Sequence, residues 1–268
     1  MRGCSAFSHD FGTDGGAVEI YARNGITIEG TRIHNNWSCS NSGFLEIGGT
    51  DGGGIRDTVI SYNVTRNSGL FLCMHLGGTF GSEVSGVRIE HNTVVETGEG
   101  RALMAFVGGA PTAGTLNLRN NIFDVGNYSL FTNREGFAHS HNLYHLRAQA
   151  TQLGFVLNAA AGEKMGDPRF VDAAAQDYRL QPDSPAIDGG MDLGYPLDHA
   201  GTSLFSGDTP DMGAYEHIPQ AEPSPSPTAT ETPAPPTATV SPTMIPAPRP
   251  LPRPVVPLRA FLPLVIGL

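Results

Sequence analysis

The stretches Val87-Arg88-Ile89-Glu90-His91-Asn92 and Leu116-Asn117-Leu118-Arg119-Asn120-Asn121 decide the fold. Each sets two apolar residues two positions apart and ends on Asn, the place that a small polar residue can also take. Three more copies fit: Ile26-Thr27-Ile28-Glu29-Gly30-Thr31, Thr58-Val59-Ile60-Ser61-Tyr62-Asn63 and Phe137-Ala138-His139-Ser140-His141-Asn142. Their last residues lie 32, 29, 29 and 21 positions apart (31 to 63, 63 to 92, 92 to 121, 121 to 142). Apolar-polar alternation marks a half-buried strand. A strand recurring every 20 to 50 residues marks a solenoid, because one such strand cannot bury its apolar face alone and stacked copies can. Thr31, Asn63, Asn92, Asn121 and Asn142 should then form one corner column. Asn suits it because it tolerates left-handed backbone and its amide can bond the Asn of the next coil as a ladder.

A second strand set lies between these copies. It reads Ala17–Ile20, Phe44–Ile47, Leu70–Leu76, Arg101–Val107 and Tyr128–Phe131, with Gly before four of them and Gly-Gly after three. Two strands per coil joined by Gly-rich corners resemble the right-handed parallel β-helix of the pectate lyase-like superfold, over about residues 5 to 160. The resemblance implies an all-β chain. It does not fix a function, because that superfold carries lyases, hydrolases, epimerases and adhesins. A β-sandwich, the competing fold, would want turn signals every 8 to 12 residues and no column of identical corner residues.

Composition agrees with a corner-rich solenoid: 34 Gly in 268 residues, and no long helical period. The strongest helical stretch is Ala159 to Met165. The formal net charge is −10; the segment from Ile218 contributes +1 and the body −11. An acidic body repels phosphate backbones, so nucleic acid is not an expected partner. Cys4, Cys39 and Cys73 are too few for a disulfide framework, and no Cys-x-x-Cys exists for a zinc ribbon. Met1 to Asp10 has neither a signal-type apolar run nor a capping element, so the chain reads as one lacking upstream coils.

Four segments follow from the composition: coils over 1–160, a capping module over 161–217, a Pro/Thr/Ser-rich disordered linker over 218–257 and a short apolar tail over 258–268. The module carries Asp167-Pro168-Arg169-Phe170, Asp177-Tyr178-Arg179-Leu180, Ser184-Pro185-Ala186-Ile187-Asp188-Gly189 and Pro210-Asp211-Met212-Gly213-Ala214-Tyr215-Glu216. With the linker it resembles the C-terminal module of secreted bacterial β-helix proteins with a variable anchor. Phe170, Tyr178, Leu180, Ile187 and Tyr215 should cover the open end of the last coil. The linker cannot bury a core and reads as an extended spacer. The tail is too short to span a bilayer and lacks the sortase pattern, so only envelope attachment in a general sense is expected.

For chemistry, the outward residues of the second set matter most. Glu19 and Glu46 each follow a Gly by three positions and should stack on neighbouring coils. Counting back from the Gly-Gly pairs sets Glu46 beside His75; counting from the preceding Gly sets it beside Leu72. The first register makes Glu46, His75 and Glu19 a catalytic row able to do acid-base work on a sugar. A second column, three residues after the corner, reads His34, Arg66, Val95, Asp124, His145. His34 and Arg66 are its candidate substrate-binding residues. Lys164 is the only lysine and lies outside the coils, which disfavours a lysine-base lyase, and the Asp pair and Gly-His-Gly of polygalacturonase-like hydrolases are missing. His139 reads as an inward, hydrogen-bonded histidine. Acidic residues leave calcium as a candidate ion, although no EF-hand spacing occurs. The functional expectation is a secreted or cell-surface β-helix that binds polysaccharide, with lyase- or glycosidase-like cleavage left open. The alternative is a non-catalytic, adhesin-type solenoid.

Overall fold

The computed structural model describes residues 16–204 and 207–219, and the backbone of 6–8 and 12–14. Cys4, the linker beyond Pro219 and the 258–268 tail lie outside the described residues. The chain forms a parallel β-solenoid. Among the described residues strand prevails over helix, and the expected helix over 159–165 reduces to a three-residue 3-10 turn at Ala159–Ala161.

The first three coils cross four parallel ladders and the later ones three, the short second ladder having only three strands. The first stacks Gly16–Ala22, Gly43–Gly49, Leu70–His75 and the ends of the long strands Thr93–Val107 and Ile122–Thr132. A short ladder follows: Thr27–Glu29, Gly54–Arg56, Glu83–Ser85. The third holds Arg32–His34, Val59–Ser61, Val87–Glu90, Leu116–Arg119 and Ala138–Ser140. The fourth, past the Asn corner, holds Trp37–Cys39, Val64–Arg66, the starts of the two long strands, Leu143–Leu146 and Lys164–Met165, so Lys164, expected outside the coils, stands on the last rung of this ladder. Inward side chains stack by type: Ile20, Ile47, Met74 and Phe106 form one column, and Ile33, Ile60, Ile89 and Leu118 another. Nearly all of these are fully buried, which is what a repeated apolar period accomplishes when coils stack about 4.8 Å apart.

The corner column differs from the expected one at its first member. Asn36, not Thr31, lies under Asn63. Asn36 Nδ2 donates to Asn63 Oδ1 at 3.0 Å, and the bond repeats at 2.9 Å from Asn63 to Asn92, Asn92 to Asn121 and Asn121 to Asn142. Thr31 instead offers its carbonyl to the Val59 amide, one ladder earlier. The stretch Ile26–Ile28 belongs to the short ladder, where Ile28 stacks with Ile55 and Val84 while Ile26 is exposed. The left-handed backbone also sits one residue before the ladder, at Asn35, Tyr62, His91, Asn120 and His141. That turn aims each following Asn inward, where Asn63, Asn92, Asn121 and Asn142 are wholly buried. Every amide donates in the same sense along the stack. The last, Asn142, donates to Glu163 Oε1 at 3.4 Å, so the polarised row ends on a carboxylate. His139 lies inward in register with Leu118, its Nδ1 2.8 Å from the same Glu163 oxygen.

The module residues also take a different place. Phe170, Tyr178, Leu180, Ala186, Met212 and Ala214 pack on Val64, Val95, Ile122 and Leu143, the outward residues of the fourth ladder. Tyr178 stacks on Trp37 with ring centroids 5.7 Å apart. The module therefore clads the flank of the solenoid lengthwise, from the coil of Trp37 to that of Leu143. The end of the last coil is met by Phe155, which packs edge-on against Phe131, Phe137 and Tyr144. The reason is visible in the alternation: the outer face of the fourth ladder carries the apolar row Trp37, Val64, Val95, Ile122 and Leu143, and that row needs a cover.

Candidate functional site

The first ladder keeps its outer face free of the module, and the candidate residues stand there. Glu19 pairs in register with Glu46, and Glu46 with Cys73. Both expected registers for Glu46 are thus corrected: its neighbour on the next coil is Cys73, one residue beyond Leu72 and two before His75. Residues two apart on a strand share a face, so Cys73 and His75 both point outward. The His75 ring leans back across the coil, and its Nε2 lies 2.8 Å from Glu46 Oε1 and 3.5 Å from Cys73 Sγ. The expected Glu46–His75 contact exists, reached diagonally.

Gly48 makes that lean feasible. It stands between Tyr21 on one coil and His75 on the next, and a Cβ there would come within 2.8 Å of Tyr21 Cε2 and 3.2 Å of His75 Cδ2. The loop after His75 returns Phe80 over the site, edge-on to His75 at 6.1 Å and tilted to Tyr21 at 6.2 Å between centroids. The His75 side chain is 15% exposed and Glu46 32%. The His75 imidazole is raised to about 10, by its bonds to Cys73 and Glu46, with burial opposing. The Tyr21 phenol is pushed up by burial and by the Glu46 charge. One carboxylate oxygen, one thiol sulfur and one imidazole nitrogen from Glu46, Cys73 and His75 all lie within 4.8 Å of one another, the set among the described residues able to hold a metal ion.

The face continues past Cys73 to Ala105 on the next coil. There it opens into a cleft of about 620 Å³ lined by Ala105, Glu99, Arg101, Tyr128 and Arg134. The Tyr128 hydroxyl is fixed by donating to the Gly69 carbonyl at 2.8 Å.

The two expected substrate-binding residues stand elsewhere. His34 pairs with Ser61 in the third ladder and is exposed, its Nδ1 against its neighbour Asn35. The column of Arg66 starts at Cys39 and continues through Val95, Asp124 and His145. His34 drops out for the same reason as Thr31: the first copy starts later in sequence than the Ile26 stretch suggests. Arg66 lies on the clad flank beside Tyr178. On that flank Asp124 is buried and held by His145 and Arg147. Neither His34 nor Arg66 joins the Glu46 cluster. Cys73, Tyr21 and Phe80 do join it, and the sequence reading passed over them. Strand alternation alone pairs Cys73 with His75; nothing in the pattern marks Phe80, which arrives on a loop. Cys39 and Cys73 are free thiols.

No family model matches this chain, and no curated protein matches it.

Proposed function

We propose that the chain is a secreted or cell-surface β-helix that binds a polysaccharide along the outer face of its first ladder. One observation carries the reading: Glu19 and Glu46 stand in register on an outward face, His75 reaches Glu46 diagonally, and the face runs on, past Cys73 and Ala105, into the cleft between Arg101 and Arg134. A row of this kind repeats at the coil spacing of about 4.8 Å, close to the length of one sugar unit. Carboxylates accept from sugar hydroxyls, while Tyr21 and Phe80 offer ring faces to the apolar side of a pyranose. Such mixed apolar and polar lining is what small-ligand sites use. Cleavage, lyase- or glycosidase-like, is the further step of this reading; Glu19 would act as proton donor or acceptor beside the Glu46–His75 pair. The resemblance to pectate lyase-like β-helices and to secreted variable-anchor proteins supports the same class of ligand and an envelope location. A polysaccharide panel tests it by affinity electrophoresis, with reducing-end release assayed in parallel. Retardation by at least one polymer, lost in Glu46→Gln, is expected. Equal mobility of wild type and variant on every polymer would leave the adhesin-type structural solenoid instead.

A further inference from the structure

The cluster at Glu46, Cys73 and His75 has a composition that sugar recognition does not require. A thiol gains little from a hydroxyl ligand, yet Cys73 aims its sulfur at the same ring nitrogen that meets Glu46. We infer that Glu46 Oε1, Cys73 Sγ and His75 Nε2 form a three-ligand site for a borderline divalent transition metal, zinc being the type case, with a fourth position open. The site does not depend on a glycan, although it occupies the same face.

Geometry carries the assignment. Two ligands come from one strand at i and i+2, and the third from the neighbouring strand in register with the first. All three are thereby held by backbone pairing rather than by loops. In a tetrahedral site with zinc–sulfur near 2.3 Å and zinc–nitrogen near 2.0 Å, sulfur and nitrogen stand about 3.5 Å apart. Cys73 Sγ and His75 Nε2 are 3.5 Å apart. Nitrogen and oxygen at about 2.0 Å from the metal would stand about 3.3 Å apart, so the 2.8 Å pair of His75 and Glu46 has to open by roughly half an ångström. Rotation of a glutamate that is a third exposed supplies that.

Ligand type then selects the ion. Thiolate and imidazole favour zinc, cobalt and similar ions over calcium and magnesium, which want oxygen. Calcium, the ion suggested by acidic content alone, does not suit this donor set. Phe80 and Tyr21 shield one side of the cluster, and Gly48 leaves room beside the imidazole where any side chain would intrude. Glu19, one coil away, remains outside the ligand set and faces the same space. Three protein ligands with one open position are the pattern of zinc sites that present a water or a substrate oxygen to the metal.

Cobalt titration of the reduced full chain tests this. One Co²⁺ per chain is expected, with visible bands of tetrahedral intensity and a near-ultraviolet thiolate-to-metal band. The band should persist when Cys4 and Cys39 are both replaced by Ser, and vanish in Cys73→Ser. Zinc should displace cobalt stoichiometrically, and calcium in large excess should not. His75→Ala and Glu46→Gln should each weaken Zn²⁺ binding by more than the roughly 10–100-fold that loss of an outer-shell partner costs. Circular dichroism identifies any variant that fails to fold, and Glu46→Gln, at a partly exposed position, keeps the test decisive if Cys73→Ser misfolds. Absence of the band in the wild-type chain, or binding indifferent to Glu46→Gln and Cys73→Ser, overturns the inference. Because no sugar enters the titration, its failure and a failure of polysaccharide binding are separate results.

Discussion

The two outer faces flanking each coil's Gly-rich turn are built from the same backbone and used in opposite ways. On the fourth ladder the outward residues include the apolar row Trp37, Val64, Val95, Ile122 and Leu143, with Arg66 and Asp124 beside it, and the C-terminal module lies over that row. On the first ladder they are Glu19, Tyr21, Glu46, Cys73 and His75, and the module stays away. Parallel pairing copies a residue's position to the next coil but says nothing about whether that position meets water or protein. The side chains decide it. Apolar outward columns cost free energy until covered, at about 25 cal/mol per Å², whereas a charged or thiol-bearing column left open is an expense that stability does not explain. The first ladder is therefore where function is to be sought, and the fourth is where the chain is held together.

The largest effect should come from the corner that joins the third ladder to the fourth. Asn92→Ala would strand the Asn63 backbone amide, which donates to Asn92 Oδ1, and would remove one bond each from Asn63 Nδ2, which keeps the Ile33 carbonyl, from the Ile60 carbonyl, and from the Glu90 carbonyl, which keeps the Tyr62 amide. At about 1–3 kcal/mol for each buried group left unpaired, with partial relaxation, we expect a loss of about 3–5 kcal/mol in denaturant unfolding. Asn36→Ala, at the half-buried end of the ladder, should cost about 1 kcal/mol. Equal losses at the two positions would mean the ladder does not act as a row.

Next comes the cladding. Tyr178 is buried between Trp37 and Phe170. Tyr178→Ala should cost about 3 kcal/mol, and the loss should be local. Limited proteolysis should cut within 167–204 while residues 20–140 stay intact. Cleavage of the coils at the same rate would show that flank and core unfold together.

Acid should separate them too. His91 is buried against Tyr62, and Asn120 Nδ2 donates to its Nε2 at 2.8 Å. The amide orientation is fixed because Asn120 also donates to the Met191 carbonyl and accepts from the Met191 amide. The acceptor nitrogen is thus already used, and burial lowers the His91 pKa to about 3. The unfolded ring titrates near 6.5 and so binds more protons than the folded one between these values. Stability from this group is complete above about pH 6.5 and drains away as pH falls toward 3. His91→Phe keeps the ring and removes the proton, so its acid transition, followed by tyrosine fluorescence, should move to lower pH. An unchanged transition would assign acid sensitivity to carboxylates instead.

How far the sequence showed all this depends on which physical signal each residue carries. The apolar period named the strands and the core columns, and Asn63, Asn92, Asn121 and Asn142 were legible because burial forces an identical residue into the same corner. Thr31 and His34 were misplaced by one cause: Ile26-Thr27-Ile28 has the same alternation as a third-ladder strand but pairs with Gly54–Arg56. Period alone cannot tell two parallel ladders apart; the position of Asn36 could have. Glu46 and His75 were found through their outward parity, but the diagonal reach of His75 depends on the missing side chain at Gly48. The flank position of Phe170 and Tyr178 was not legible, since a long-range docking leaves no local pattern.

The smallest effect on stability should come from the open face, and that contrast is the sharpest test of the difference between the two. Glu46 and His75 form a pair 2.8 Å apart, the glutamate a third exposed and the histidine largely covered by its neighbours and by Phe80. Exposed pairs contribute about 0–1 kcal/mol, so Glu46→Gln, at the more exposed partner, should shift unfolding by no more than about 1 kcal/mol, and His75→Ala, whose ring is largely covered, by about 1–2 kcal/mol, since neither side chain fills the core. Under the proposed function, polysaccharide retardation should nevertheless disappear in both, because they complete the row to which binding is assigned. Asn92→Ala should show the converse in whatever fraction remains folded: weakened stability with retained binding, since the ladder lies inside the coil and touches no ligand. Were His75→Ala to cost as much as Tyr178→Ala while binding survived, the first ladder would be a structural face like the fourth, with its charges serving the fold alone.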